Sequence, residues 1–223
     1  MSRRGRIALK AGVWVACLAP LALLLYRAAG DDLSANPISF VTHWLGDWTL
    51  RLLLASLATT PLRILFGLSW PLGLRRLLGL FAFFYASLHL AVWLVLDHFF
   101  DWREMGGDIL KRPYITVGMT ALVLMLPLAA TSTSAAIRWL GGRNWQRLHR
   151  LVYVIGVCGV LHYLWLAKKA NPQPYYYAAV LALLLGIRGF DWGRRRLTRL
   201  RSAAGAAAAG ERATSLRGSR PSA

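Results

Sequence analysis

The sequence predicts an all-α fold, a polytopic membrane helix bundle of about six transmembrane helices with both ends on the cytoplasmic side. Three observations predict it. Of 223 residues, 57% are hydrophobic, above the roughly 45–50% of a soluble domain. The excess is gathered into runs of about 20 residues, the length a helix needs to cross the hydrocarbon core. The charged residues, +18 in formal balance, are sorted between alternate connections, as they are in membrane proteins.

Six spans are expected, at 8–27, 44–66, 76–98, 113–131, 148–167 and 174–192. The first follows Arg3, Arg4 and Arg6 and could pass for a secretory signal. No convincing small-residue cleavage site closes it, so it reads as a retained helix. Pro61 and Pro127 lie near the inner ends of the second and fourth spans and should kink or end them. Trp44, Trp48, Trp102, Trp139, Trp145 and Trp192 sit near span ends, as an interfacial aromatic belt does. Residues 1–201 form the membrane domain. Residues 202–223 are Ala, Gly, Ser and Arg with almost no large apolar residue, and read as a disordered basic tail.

Orientation follows from the positive charges. With the N-terminus inside, the inner segments hold 20 of the 27 basic residues. Arg27, Arg51, Arg103, Lys111, Arg112, Lys168 and Lys169 fall outside. So do seven of the nine acids, among them Asp97, Asp101, Glu104 and Asp108. The basic asymmetry alone sets N-in and C-in. The acidic outer loop 98–112 is a candidate docking surface, or an ordinary solvated loop.

Several function classes are excluded. Cytoplasmic loops explain the basic excess, so no nucleic-acid partner is called for. Cys17 and Cys158 sit inside apolar runs, and no CxxC or CxxCH occurs, which argues against a disulfide framework, a zinc ribbon and a covalently attached haem. No Walker A loop, HExxH, GxSxG or GxGxxG is present, and no nicotinamide domain has room to exist. Any redox role needs electrons from another protein or a membrane quinol.

The histidines carry the chemistry. His43 and His98 lie at outer span ends, where a histidine is ordinary. His89 and His162 lie deep inside the third and fifth spans, where an ionisable side chain is costly and is usually kept for a task. They are 13 and 14 residues from their inner span ends, so at ~1.5 Å per residue both sit roughly 20 Å out. Two imidazoles at one depth on separate helices suit the axial positions of a haem iron. Histidines bonded to neighbouring polar groups are the alternative. His149 lies 13 residues before His162, about 19.5 Å lower on an ideal helix. That spacing suits a second haem iron near the inner face. However, the two do not share one helix face, and the matching depth on the third span holds Arg75 and Arg76. Arg75, Arg76, Arg147 and Arg150 could hold haem propionates or a flavin phosphate; topology arginines would look the same. Arg51 follows Asp47 by one turn, and the pair can neutralise itself.

Five stretches carry a resemblance: TTPLR at 59–63, LRRLLGLFAFFYASLHL at 74–90, KRPYITVGMTALVLMLPLAATS at 111–132, RNWQRLHRLVY at 143–153 and LHYLW at 161–165. Together they resemble the MsrQ (YedZ) family, haem-binding membrane subunits of the bacterial periplasmic methionine sulfoxide reductase system, within the ferric-reductase-like transmembrane group. The resemblance implies a multi-pass protein of the bacterial inner membrane that carries haem b, one or two, and FMN. It implies electron transfer from a quinol or a cytoplasmic flavin reductase to the periplasmic molybdopterin enzyme MsrP, for repair of oxidised methionines. It maps the family's haem histidines onto His89, His149 and His162. Arg75 and Arg76 depart from the two histidine pairs of the broader group. Other readings are a stand-alone ferric or quinone reductase of the cytochrome b type and a cofactor-free transporter or scaffold.

Overall fold

A computed structural model describes residues 2–166 and 171–218, with side chains as far as Ser202. Residue 167 of the fifth expected span, Lys168, Lys169 and tail residues 219–223 lie outside the described residues.

The chain is all-α. Helices α1 (Arg3–Ala29) and α2 (Pro37–Phe66) are followed by a single 3₁₀ turn and α3 (Arg75–Val92). Then come α4 (Trp102–Lys111), α5 (Pro113–Ala130), α6 (Ser134–Leu140), α7 (Gly142–Leu148), α8 (Leu151–Leu166) and α9 (Gln173–Gly218). Among the described residues, five helical stretches are long and apolar enough to cross a membrane: Arg3–Ala29, Pro37–Phe66, Arg75–Asp97, Pro113–Ala130 and Gly142–Leu166. The sixth expected span, 174–192, is the first part of α9. The α1–α2 connection and α4 lie at the acidic end of the bundle, and the opposite end is the basic one.

Helix starts follow local chemistry. Asn36 caps α2 by accepting from the Ser39 N–H at 3.0 Å, and Pro37 takes the first turn, where its missing N–H costs nothing. This start carries α2 seven residues beyond the expected 44. Helix α2 is also the centre of the bundle. Leu50, Leu53, Leu54 and Leu57 are buried on one side, and Leu45, Leu52, Ser56 and Thr59 on the opposite side, so the helix is covered on two faces rather than along one stripe. It packs on α3, α8 and α9, while α5 pairs with α8. Pro61 and Pro127 are accommodated inside α2 and α5.

Helix α1 buries little: Cys17, Pro20 and Leu24. Two side-chain hydrogen bonds tie it to the bundle. The Tyr85 hydroxyl donates to the Cys17 carbonyl at 2.7 Å, and the Trp44 indole N–H donates to the Pro20 carbonyl at 3.1 Å. In an apolar medium such bonds have no water to compete with.

Two expectations differ from the structure. The outer loop is largely helix α4: the Asp101 carboxylate accepts from the Arg103 and Glu104 N–H groups, both at 3.0 Å. Asp101 and Glu104 have the spacing of a capping box. The expected disordered tail from 202 is helical as far as Gly218, in keeping with its alanine content, since alanine is the best helix former.

Candidate functional site

A cavity of about 510 Å³ opens between α2, α3, α5 and α8. Its walls are apolar, with Leu50 and Leu53 from α2, Leu122 and Met125 from α5, and Ile155 from α8. His89 from α3 and His162 from α8 face each other across it. Their ring centroids are 6.2 Å apart and the rings are nearly perpendicular, at 86°. The pair expected from depth alone is therefore brought together.

Each imidazole is oriented in the same way. His89 Nδ1 lies 2.9 Å from the Thr42 carbonyl of α2, and His162 Nδ1 lies 2.7 Å from the Tyr114 carbonyl of α5. A carbonyl only accepts, so Nδ1 carries the proton in both rings and Nε2 keeps its lone pair. A histidine that ligates a metal is usually held in this manner, by a hydrogen bond from its other nitrogen.

One helical turn beyond each carbonyl stands a glycine. A Cβ on Gly46 would lie 3.3 Å from His89 Cε1, and one on Gly118 would lie 2.7 Å from His162 Nδ1. The missing side chain lets the imidazole reach the carbonyl four residues earlier. Thr42–Gly46 and Tyr114–Gly118 are thus two copies of one notch. Sequence reading passed over both glycines, since glycine is common in membrane helices.

The donor set discriminates between metal centres. Among the described residues, no group of three or more His, Cys, Asp or Glu side chains could hold an ion. Two facing imidazoles alone leave most of an iron coordination sphere to be filled, and a porphyrin fills it with its four nitrogens. Metal–imidazole bonds of about 2 Å on each side would set two ring centroids roughly 6 Å apart. The residues present fit haem.

His149 lies elsewhere, at the basic end where α7 meets α8. Its ring stacks on Trp145 with centroids 3.9 Å apart, and its Nε2 is 3.1 Å from Thr131 Oγ1. The Thr131 hydroxyl donates its one proton to the Pro127 carbonyl at 2.6 Å. It therefore accepts from His149, whose proton sits on Nε2, the opposite tautomer to the facing pair. Arg75 is half-buried, and Arg76, Arg147 and Arg150 are exposed; none of the four lines the cavity.

Three further residues were under-read in the sequence. His98 is buried, 7% exposed, with Nε2 at 3.2 Å from Asp108 Oδ2. Arg51 donates to the Tyr177 hydroxyl at 3.0 Å as well as facing Asp47 at 3.8 Å. Arg188, in the sixth expected span, is drawn into the bundle and donates to the Tyr153 hydroxyl and the Leu57 carbonyl, both at 2.6 Å.

The fold and site define a polytopic helical membrane protein with two facing intramembrane histidines. The family described as ferric reductase like transmembrane component matches residues 11–160. The curated relatives named protein-methionine-sulfoxide reductase heme-binding subunit MsrQ include one from Rhodospirillum rubrum, 53% identical over 87% of this chain and 91% of the relative. Those from Ralstonia nicotianae and Herminiimonas arsenicoxydans are 52% and 50% identical, over 81% and 84% of this chain and 84% and 87% of their own lengths. No solved structure matches the chain. The chain belongs to the MsrQ family of ferric-reductase-like transmembrane proteins.

Proposed function

We propose that this protein is the haem-binding, electron-transferring membrane subunit of a methionine sulfoxide reductase system in the bacterial inner membrane. The observation that carries the reading is the facing pair His89 and His162 in the cavity wall, each with Nδ1 bonded to a backbone carbonyl and Nε2 left with its lone pair. The names of the curated relatives support it.

In this reading His89 and His162 would hold a b-type haem through their Nε2 atoms. When bound, the haem supplies a one-electron carrier inside the hydrocarbon layer. The chain's own residues do the rest. The Thr42 and Tyr114 carbonyls fix the two ring orientations and raise the basicity of the ligating nitrogens. The apolar walls exclude water and hold the dielectric low. Electrons arrive from a quinol or a cytoplasmic flavin reductase and leave to the periplasmic partner MsrP, which reduces oxidised methionine. Arg75, Arg76, Arg147 and Arg150 supply the positive charge that an FMN phosphate would need at the basic end. To hold a second haem through Nε2, His149 would have to give up its Thr131 bond.

The test is spectroscopic. The purified chain should show a Soret band and sharp α and β bands on reduction. His89→Ala and His162→Ala should each remove most of that haem. A protein that binds no haem after haem supplementation would sink the reading, as would an unchanged low-spin spectrum in both variants. Haem counted per chain in wild type and His149→Ala decides between one site and two. Reduction of MsrP by the reconstituted chain separates this function from a stand-alone ferric or quinone reductase. Substrate flux in haem-free proteoliposomes would point instead to a transporter.

A further inference from the structure

The haem reading leaves a charge problem, because a b-type haem carries two carboxylates. At the acidic end the cavity wall turns polar, and the groups that line it there include His43, Asp47, Asp97 and Arg112. Arg112 is the one Arg or Lys lining the cavity among the described residues. Asp47 faces Arg51 at 3.8 Å, while Asp97 is exposed to solvent, and the nearest ring atom to it, His98 Nδ1 at 3.6 Å, stands beyond hydrogen-bond reach.

Arg112 is held in place from behind. Its Nε lies 3.2 Å from Asp108 Oδ1, and the other oxygen of Asp108 lies 3.2 Å from Nε2 of the buried His98. Its Nη1 faces the Tyr114 hydroxyl at 3.4 Å, and its backbone N–H donates to the Asp108 carbonyl at 2.9 Å. Among the described residues, Nη2 has no hydrogen-bond partner. A guanidinium fixed through Nε keeps a planar edge for a second carboxylate, the geometry in which arginine outperforms lysine. Arg112 is also the N-cap residue of α5, the helix whose Tyr114 carbonyl orients His162. The cation and one histidine of the pair are thus set by the same turn of backbone.

We propose that Arg112 holds the haem carboxylates at the acidic end of the cavity, with Asp108 and His98 as positioning residues for its guanidinium. The proposal rests on the haem reading. It differs from the sequence expectation, which looked for propionate partners among the basic-end arginines. Arg112 is half exposed, its side chain 53% accessible, so solvent screening limits the effect to about fivefold in affinity.

The experiment compares haem b with its dimethyl ester, which has the same ring and iron but no carboxylates. Both are titrated into the full-length apoprotein in detergent. Wild type should bind the free acid about fivefold more tightly than the ester. Arg112→Leu should lose that preference while its affinity for the ester stays as in wild type. Arg112→Lys should keep part of it. His98→Gln should weaken the preference with Arg112 still present, an effect that loss of general stability would not produce for one porphyrin alone. A full preference in Arg112→Leu overturns the proposal, as does its loss in Lys168→Gln/Lys169→Gln with Arg112 intact. Equal binding of the two porphyrins by wild type overturns it while leaving the haem reading standing. A wild type that binds neither overturns the haem reading, and the proposal with it.

Discussion

His89 and His162 were legible as residues because an imidazole among Leu, Val and Trp has no ordinary reason to be there. Their notches were not. Gly46 and Gly118 acquire meaning only when the partner helix is known, since the imidazole that needs the space comes from 43 and 44 residues away in the chain. The tighter notch is at Gly118, where an added Cβ would stand 2.7 Å from a ring nitrogen. Gly118→Ala must push the ring off the Tyr114 carbonyl. Overpacking of this kind costs ~1–3 kcal/mol, so haem affinity should fall on the order of tenfold, read by titration of the apoprotein. Gly46→Ala, at 3.3 Å, should cost less. An alanine at 118 with wild-type haem affinity would show that the notch has no part in orienting the ligand.

At the scale of elements, α4 is the instructive one. Composition marks 98–112 as a charged outer loop, and the loop reading follows from that alone. Asp101 and Glu104, three apart, spell a helix start that composition does not see. The Asp101 cap then fixes where α4 begins, and Met105 and Asp108 become its buried face. Removing a cap costs ~1 kcal/mol. Asp101→Ala should therefore speed amide hydrogen exchange across Trp102–Lys111 by roughly fivefold, with the spanning helices unaffected. Because Asp108 holds Arg112, the same variant should also shift the haem affinity modestly. The stretch after α3 makes a related point. The π turn at Trp93–Asp97, closed by the His98 N–H on the Trp93 carbonyl at 3.1 Å, turns the chain so that His98 is buried rather than interfacial. No periodicity in the sequence signals that one-residue slip.

For the whole molecule, charge and hydropathy say which ends share a side. Most basic residues gather at the connections of one end, most acids at the other. The expected arrangement puts the N-terminus and α9's far end in the cytoplasm, and the mouth of the cavity on the periplasmic side. Single-cysteine labelling in intact cells checks it, in a background with Cys17 and Cys158 replaced by serine. Ser34→Cys, in the α1–α2 connection, should react with a membrane-impermeant maleimide. Ser202→Cys should react only after permeabilisation. The reverse pattern would invert the topology and place the cavity mouth away from a periplasmic partner.

The division between sequence and tertiary structure has a physical basis. Hydropathy, charge asymmetry and histidine depth are properties of single segments, set by each segment's exchange with lipid and water. They were enough to determine an all-α polytopic membrane bundle and to single out the two deep histidines. Which nitrogen of each ring is protonated, which glycines make room, and which arginine meets the cavity all depend on pairs of helices distant in the chain. Those features belong to packing, and only the folded bundle decides them. Arg75 and Arg112 look alike in the sequence; the structure sets one aside from the cavity wall and the other at its mouth.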